Sequence, residues 1–113
     1  MDFRPATFNI KTWRGDTLSL TFDLKADDVP IDLTTATLRM QIRPTYGSNT
    51  LTLGLTEADG LTIGGIDNNQ VEVRKTISIA SGDYIYDLEA VFSDGTVKTY
   101  IKGDFIVSED STK

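Results

Sequence analysis

The chain has 113 residues, of which 11 are Lys or Arg and 17 are Asp or Glu, and it contains neither histidine nor cysteine. These absences exclude a Ser-His-Asp or Cys-His nucleophile, a zinc site built from Cys and His, and a disulfide. The formal net charge of −6 creates a field that repels nucleic acid and anionic membranes. We therefore expect a protein that is not an enzyme and has no cofactor and no bound metal. We also expect it to bind neither nucleic acid nor membranes.

The length fits one domain over residues 1–113, with a frayed tail from about residue 108. Thr, Ile and Val together provide 32 residues, and this β-branched content favours strands. The N-terminus has no apolar signal core, and no apolar run approaches the length of about 18 residues that spans a bilayer. We therefore expect synthesis in a cytoplasm without export.

Alternation of apolar and polar residues predicts short strands in the first half of the chain. A first strand covers residues 6–13, and a turn leads to a more regular strand over 17–24. Residues 29–33 can form only an edge or kinked segment, because Pro30 has no backbone N–H to donate. In the strand over 36–43 the inward residues are Ala36, Leu38, Met40 and Ile42.

Short strands also fill the second half. Two weak strands, 51–55 and 61–63, precede a turn at 64–69. The run over 83–92 is the longest, and Asp94-Gly95 predicts a tight hairpin after it, because this pair readily adopts positive φ angles. The remaining extended segments are predicted at 70–75, 76–81, 97–101 and 105–107.

The spacing of these strands indicates the fold class. Turn signals recur every 8 to 12 residues, which is typical of all-β domains, and no stretch shows the 3.6-residue period of an amphipathic helix. The pattern favours an antiparallel β-sandwich of about seven to nine short strands. A barrel of the OB or lipocalin type remains open, because patterning alone does not separate the two architectures.

The segment Ser81-Gly82-Asp83-Tyr84-Ile85-Tyr86 resembles the Gly-x-Tyr-x-Cys signature of strand F in immunoglobulin domains. In this resemblance Gly82 and Tyr84 match the signature, and Tyr86 stands where the cysteine would be. The resemblance implies an immunoglobulin-like sandwich in which Tyr84 is a tyrosine corner, its hydroxyl bonding to backbone a few residues upstream. The alternative is that Tyr84 and Tyr86 form a stacking platform for a ligand.

Three aromatic residues, Trp13, Tyr46 and Tyr100, are candidate interface residues. Partly exposed aromatic rings are what a protein interface or a carbohydrate-binding surface requires. Trp13 lies on the strand face opposite Phe8 and Ile10. The alternative for each ring is ordinary core packing.

Two carboxylates, Asp87 and Glu89, lie two residues apart and therefore on the same face of their strand. A carboxylate pair can serve as acid and nucleophile in a hydrolase. A solvated strand face explains the same pattern more simply. The loops lack the Asp-x-Asp-x-Asp-Gly spacing that would make a calcium site specific.

A longer resemblance covers residues 6–107. In this region the chain looks like the small immunoglobulin-like domain at the N-terminus of phage baseplate upper proteins and related short phage tail proteins. The resemblance is carried by Phe8-Asn9-Ile10, Arg14-Gly15-Asp16-Thr17, Phe22-Asp23-Leu24, Pro30-Ile31-Asp32-Leu33-Thr34-Thr35-Ala36, Leu38-Arg39-Met40-Gln41-Ile42-Arg43, Gly82-Asp83-Tyr84-Ile85-Tyr86-Asp87-Leu88-Glu89 and Asp94-Gly95-Thr96-Val97.

This resemblance implies a structural protein of a tailed phage virion, assembled in the host cytoplasm with other virion proteins and present as a homo-oligomer. Related domains are commonly followed by a long linker and a trimerising or receptor-binding region, whereas this sequence stops after Thr112-Lys113. We therefore expect a tail, baseplate or neck adaptor or a decoration subunit rather than a self-contained receptor-binding fibre. The edge segments 29–33 and 6–13 are the expected contact surfaces, since an unpaired edge can add to a neighbour's sheet. A carbohydrate-binding module that contacts host-surface glycans is the alternative.

Overall fold

The computed structural model describes residues 6–26, 28–45 and 50–109. Within these ranges the chain forms eleven strands and no helix, which confirms the all-β prediction. The strands are β1 Ala6–Thr7, β2 Ile10–Trp13, β3 Thr17–Asp23, β4 Lys25–Ala26, β5 Val29–Pro30, β6 Thr37–Arg43, β7 Leu53–Thr56, β8 Leu61–Gly64, β9 Gln70–Thr76, β10 Gly82–Val91 and β11 Val97–Ser108.

The strands form two main sheets. The larger one has six strands in the order β1-β11-β10-β6-β7, with β2 also pairing with β11. The smaller one has three strands in the order β3-β9-β8, and β4 and β5 form a separate short hairpin. All described neighbours are antiparallel except β1 and β2, which both run parallel to β11.

This arrangement decides between the two architectures that the sequence left open. The strands lie in two separate sheets rather than a closed barrel, and their apolar faces share one core. Strands β6, β10 and β11 take the positions of C, F and G in an immunoglobulin domain, and β3, β9 and β8 those of B, E and D. The fold is an immunoglobulin-like β-sandwich.

The core follows the predicted alternation along most strands. Every second residue of a strand points to the same face, so one apolar set per strand enters the space between the sheets. The inward residues predicted for residues 36–43 are all buried. The sheets together bury, among others, Leu18, Phe22, Leu38, Met40, Ile42, Val71, Val73, Tyr86, Leu88 and Ala90.

Three of the predicted strands differ from the structure. Of the segment expected at 76–81, only Thr76 is in a strand, as the last residue of β9. The first strand, expected to be continuous over 6–13, is interrupted at Phe8 and Asn9 between β1 and β2. The segments expected at 97–101 and 105–107 form one continuous strand, β11. Strand β11 continues through Gly103 because it is paired on both sides, with β10 and with the N-terminal strands.

Ser108, the first residue of the predicted frayed tail, belongs to a strand. Ser108 is the last residue of β11, and its carbonyl oxygen accepts a hydrogen bond of 2.7 Å from the backbone N–H of Arg14. This bond extends the pairing of β11 with the N-terminal segment by one residue. Residues 110–113 of the predicted tail lie outside the described residues.

The interruption between β1 and β2 depends on a close approach to Gly103. A Cβ atom at this position would lie 2.3 Å from the carbonyl oxygen of Phe8. The two segments are joined by hydrogen bonds from Phe8 N to Lys102 O at 2.9 Å and from Asp104 N to Asn9 Oδ1 at 3.0 Å. The N-terminal segment can lie this close to β11 because residue 103 has no side chain.

We therefore predict that Gly103→Ala destabilises the protein by about 1–3 kcal/mol, because the backbone of Phe8 must move to admit the methyl group. Gly64→Ala is the matched control: it is also in a strand, and an added Cβ would meet nothing within 4 Å. Urea unfolding measures both free energies. Equal effects of the two substitutions would contradict the proposed close approach.

Candidate interface

The surface most clearly arranged for contact is the edge formed by β1, Phe8, Asn9 and β2, which we call the N-terminal edge (residues 6–13). It is anchored to the core by Tyr86, whose hydroxyl donates a hydrogen bond of 2.5 Å to the carbonyl oxygen of Phe8. Tyr86 is buried and lies opposite Gly103 on β11, and its hydroxyl reaches past β11 to Phe8, between β1 and β2. Burial raises the pKa of Tyr86 above its ordinary value, so the hydroxyl keeps its donor proton.

Two aromatic side chains project from the N-terminal edge. Phe8 and Trp13 are each 45% exposed. One side of the Phe8 ring packs edge-on against Phe22, with ring centroids 5.5 Å apart. In the described part of the chain β1 and β2 pair only with β11, so their other side is an open sheet edge. The edge thus combines unpaired backbone groups with exposed aromatic surface.

Tyr84 has the geometry of a tyrosine corner. Its hydroxyl donates a hydrogen bond of 2.7 Å to the carbonyl oxygen of Ala80, four residues upstream. The ring lies over Gly82, where an added Cβ would be 3.7 Å from a ring carbon. Tyr86 points into the core, so the two rings do not form an exposed stacking platform.

Of the other two candidate interface residues, Tyr46 and Tyr100, the structure describes Tyr100. Tyr46 lies outside the described residues. Tyr100 is only 6% exposed, which corrects the expectation of a partly exposed ring. The cause is a β-bulge: Leu88 pairs with Ile101 but Glu89 pairs with Thr99, so Tyr100 has no partner on β10. The extra residue shifts the alternation, and both Tyr100 and Ile101 enter the core.

The second expected edge segment, residues 29–33, contains both an exposed and a buried apolar residue. Val29, in β5, is 63% exposed, whereas Leu33 is buried. Ile66, in the turn between β8 and β9, is fully exposed, and it lines a groove together with Pro30. A hydrogen bond of 3.0 Å from Leu33 N to Asn68 O connects the two segments. We call Val29, Pro30 and Ile66 the loop-end patch; sequence reasoning did not identify Ile66.

Asp87 and Glu89 lie on the outer face of the larger sheet. Glu89 forms an ion pair with Arg39 on β6. Asp87 Oδ1 is buried without a hydrogen-bond partner. Burial, with a further contribution from Glu89, raises the pKa of Asp87, although Arg43 and Arg39 act in the opposite direction. The carboxylates are thus part of a mixed charged cluster on a sheet face.

The described residues contain no group of three or more His, Cys, Asp or Glu side chains that could hold a metal ion. Over the same ranges the chain has no helix with the length and apolar character needed to cross a membrane.

Comparison with known proteins finds no matching family model and no matching curated protein. Among solved structures, CopC from Methylosinus trichosporium OB3b is similar with 13% identity and a TM-score of 0.46, over 96% of this chain and 88% of that one. The V domain of amphioxus IgVJ-C2 is similar with 11% identity and a TM-score of 0.32, over 88% of this chain and 99% of that one. No function is carried over from either structure.

The contribution of the Tyr86–Phe8 hydrogen bond to stability can be measured by a substitution that removes the tyrosine hydroxyl. We predict that Tyr86→Phe lowers the free energy of unfolding by about 1–2 kcal/mol, because the Phe8 carbonyl loses its buried donor. Tyr84→Phe is the control and should cost about 0.5–1 kcal/mol, since its bond to Ala80 is more exposed. Urea unfolding monitored by circular dichroism gives both values. A larger loss for Tyr84→Phe than for Tyr86→Phe would show that this anchor is unimportant.

The raised pKa of Asp87 predicts a pH dependence. A carboxyl whose pKa is higher in the folded than in the unfolded state stabilises the protein below the unfolded value, and this contribution is lost as pH rises through the folded value. Asp87→Asn should therefore be more stable than the parent at about pH 7, by less than about 1 kcal/mol, and similar to it at about pH 4. Urea unfolding at the two pH values measures this difference. A difference that does not change with pH would be inconsistent with the raised pKa.

Proposed function

We propose that this protein is a non-enzymatic structural subunit of a tailed phage virion and acts by assembly with other virion proteins, as a tail, baseplate or neck adaptor or as a decoration subunit. The resemblance over residues 6–107 supports the phage origin. Support for assembly comes from the immunoglobulin-like sandwich with open, partly apolar edges.

The observation that carries the proposal is Trp13 on the N-terminal edge. Tryptophan and phenylalanine are enriched at protein interfaces, where a buried aromatic ring provides much of the binding energy. Trp13 is nearly half exposed and lies in β2, whose outer side is unpaired within the described residues. A partner strand or loop that docks here gains backbone hydrogen bonds and covers the ring at the same time.

The loop-end patch is a second contact surface. Val29 lies in β5 and Ile66 in the turn between β8 and β9, and the hydrogen bond from Leu33 N to Asn68 O connects the two segments. Preorganised loops lose less conformational entropy when they bind. With the N-terminal edge, the patch offers separate surfaces for two neighbours in one particle.

The carbohydrate-binding alternative lacks comparable support. A stacking platform uses exposed aromatic rings. Of the three proposed rings, Tyr100 is buried and Tyr46 lies outside the described residues, which leaves Trp13. We therefore propose assembly alone.

The proposal predicts that purified phage particles contain this chain and that Trp13→Ala reduces its incorporation at least about tenfold, since a central interface tryptophan contributes about 2 kcal/mol or more. Val97→Ala is the matched control, because Val97 is similarly exposed but lies outside the N-terminal edge and the loop-end patch. Quantitative mass spectrometry of particles complemented with each variant measures incorporation. Circular dichroism confirms that both variants fold.

Two results would contradict the proposal. Peptides of this chain missing from purified particles would exclude a virion role. Equal incorporation of the Trp13→Ala and Val97→Ala variants would show that the N-terminal edge is not the contact surface.

A further inference from the structure

Strand β3 is the longest open sheet edge among the described strands. It is the end strand of the smaller sheet, and within the described residues it pairs only with β9. Its seven residues, Thr17–Asp23, contrast with the four residues of each of the edge strands β2, β7 and β8. A long unpaired edge presents a regular row of backbone donors and acceptors.

The register of the sheet shows which backbone groups face outward. At the two ends of the β3–β9 pair, hydrogen bonds run from Ile77 N to Asp16 O at 3.0 Å and from Leu24 N to Asn69 O at 2.9 Å. In an antiparallel pair the bonded residues alternate, so the even-numbered residues of β3 bond to β9. On β9 the odd-numbered residues are the ones that bond to β3. The even-numbered Arg74 instead donates its N–H to Gly60 O on the opposite side of β9, which agrees with this alternation. The N–H and C=O groups that point to the open edge therefore belong to Thr17, Ser19, Thr21 and Asp23.

The edge of β3 lacks the features that normally prevent strand pairing. Natural edges are interrupted by proline, lysine, bulges or inward-pointing charges. Strand β2 carries Lys11 and the β4–β5 hairpin carries Lys25 and Pro30. Strand β3 contains none of these residues, and its single charge, Asp23, is at its end. Leu20, near its centre, is only half-buried, in contrast to Leu18 and Phe22.

The sequence of β3 is complementary to itself. Thr17-Leu18-Ser19-Leu20-Thr21 reads the same in both directions about Ser19. When two such strands run antiparallel with their Ser19 residues opposite each other, Thr17 lies opposite Thr21 and Leu18 lies opposite Leu20. Hydroxyl groups then meet on the solvent face, and leucines meet on the core face.

We propose that two copies of this chain form a symmetric dimer by antiparallel pairing of β3 with β3, with Ser19 at the two-fold axis. The outward-facing residues of one copy lie opposite outward-facing residues of the other, as backbone pairing requires. The dimer joins two three-stranded sheets into one continuous sheet, in the order β8-β9-β3-β3-β9-β8. An isologous two-fold contact closes on itself and gives a dimer rather than a fibre.

This inference does not rest on the proposed virion role, because it concerns the chain alone in solution. The N-terminal edge belongs to the other sheet, and its Phe8 ring packs against Phe22 of β3. Each copy carries a formal charge of −6, so the two copies repel each other at low ionic strength. The dimer should therefore become stronger as salt is raised from about 20 to about 200 mM.

Ser19→Cys provides a direct test in a chain that has no native cysteine. Residues opposite each other in a bonded antiparallel pair have Cα atoms about 5.5 Å apart, within the range that a disulfide spans. We expect mild oxidation to give a covalent dimer quickly. Thr62→Cys is the matched control, because Thr62 is exposed on β8 of the same sheet, and it should cross-link much more slowly.

A pair of charge variants tests the position of the axis. Ser19→Lys and Ser19→Glu each place two like charges opposite each other, so each should weaken the dimer at least about tenfold. An equimolar mixture should form the heterodimer, which native mass spectrometry identifies by its mass. The Ser19 side chain is exposed and its backbone groups face outward, so these variants should keep the melting temperature that the parent has at concentrations at which it is monomeric.

Several results would overturn the inference. These are a parent protein that remains monomeric at about 1 mM, equal cross-linking of the Ser19→Cys and Thr62→Cys variants, or no heterodimer in the mixture of charge variants. Protection of the Ser19 amide from hydrogen exchange in a monomer would also overturn it, by showing that the chain covers its own edge. None of these results bears on whether the chain is found in phage particles.

Discussion

The hydrogen bond from the Tyr86 hydroxyl to the Phe8 carbonyl oxygen connects the core of the sandwich to its N-terminal edge. Tyr86 occupies the strand-F position that resembles the cysteine position of immunoglobulin domains, in a chain that has no cysteine. Its ring packs against Phe105 in the core, and its hydroxyl reaches past Gly103 on β11 to Phe8, between β1 and β2. Tyr86, on β10, is therefore joined to β11 by packing and to the N-terminal edge by one hydrogen bond. The glycine is required, because any side chain at position 103 would occupy the place of the Phe8 backbone.

The two open edges of the molecule differ in chemistry. The N-terminal edge carries exposed aromatic rings and belongs to the larger sheet, which suits a partner that covers apolar surface. The edge of β3 carries hydroxyl groups and a palindromic sequence, which suits a second copy of the same strand. The edges belong to different sheets but lie side by side, because Phe8 packs against Phe22 of β3. A dimer formed through β3 would present two N-terminal edges related by symmetry, so each dimer could engage two identical neighbours.

The outer face of the larger sheet has a different character. Arg39 is paired with Glu89, and the arginines of β6 oppose the rise in the pKa of Asp87 that burial causes. Mixed charges on a sheet face favour hydration and discourage non-specific association. This face therefore contrasts with the two edges, at which we expect the contacts of the protein to form.

The sequence alone determined the all-β class, most inward-facing residues and the place of the hairpin at Asp94-Gly95, because alternation and turn chemistry are local properties. The loop is longer than a two-residue turn, since Phe92 N donates to Thr96 O, and of the pair only Gly95 has a positive φ. Alternation places Trp13 on the face opposite the buried Ile10, but it left core packing open, and the structure shows that the ring is exposed. Only the tertiary structure decided the interruption at Phe8 and Asn9, the continuity of β11 and the burial of Tyr100. Each of these depends on a partner far along the chain: Gly103 admits the Phe8 backbone, and a bulge against Leu88 and Glu89 turns Tyr100 inward. Register between distant strands sets such features, and a local pattern does not encode it.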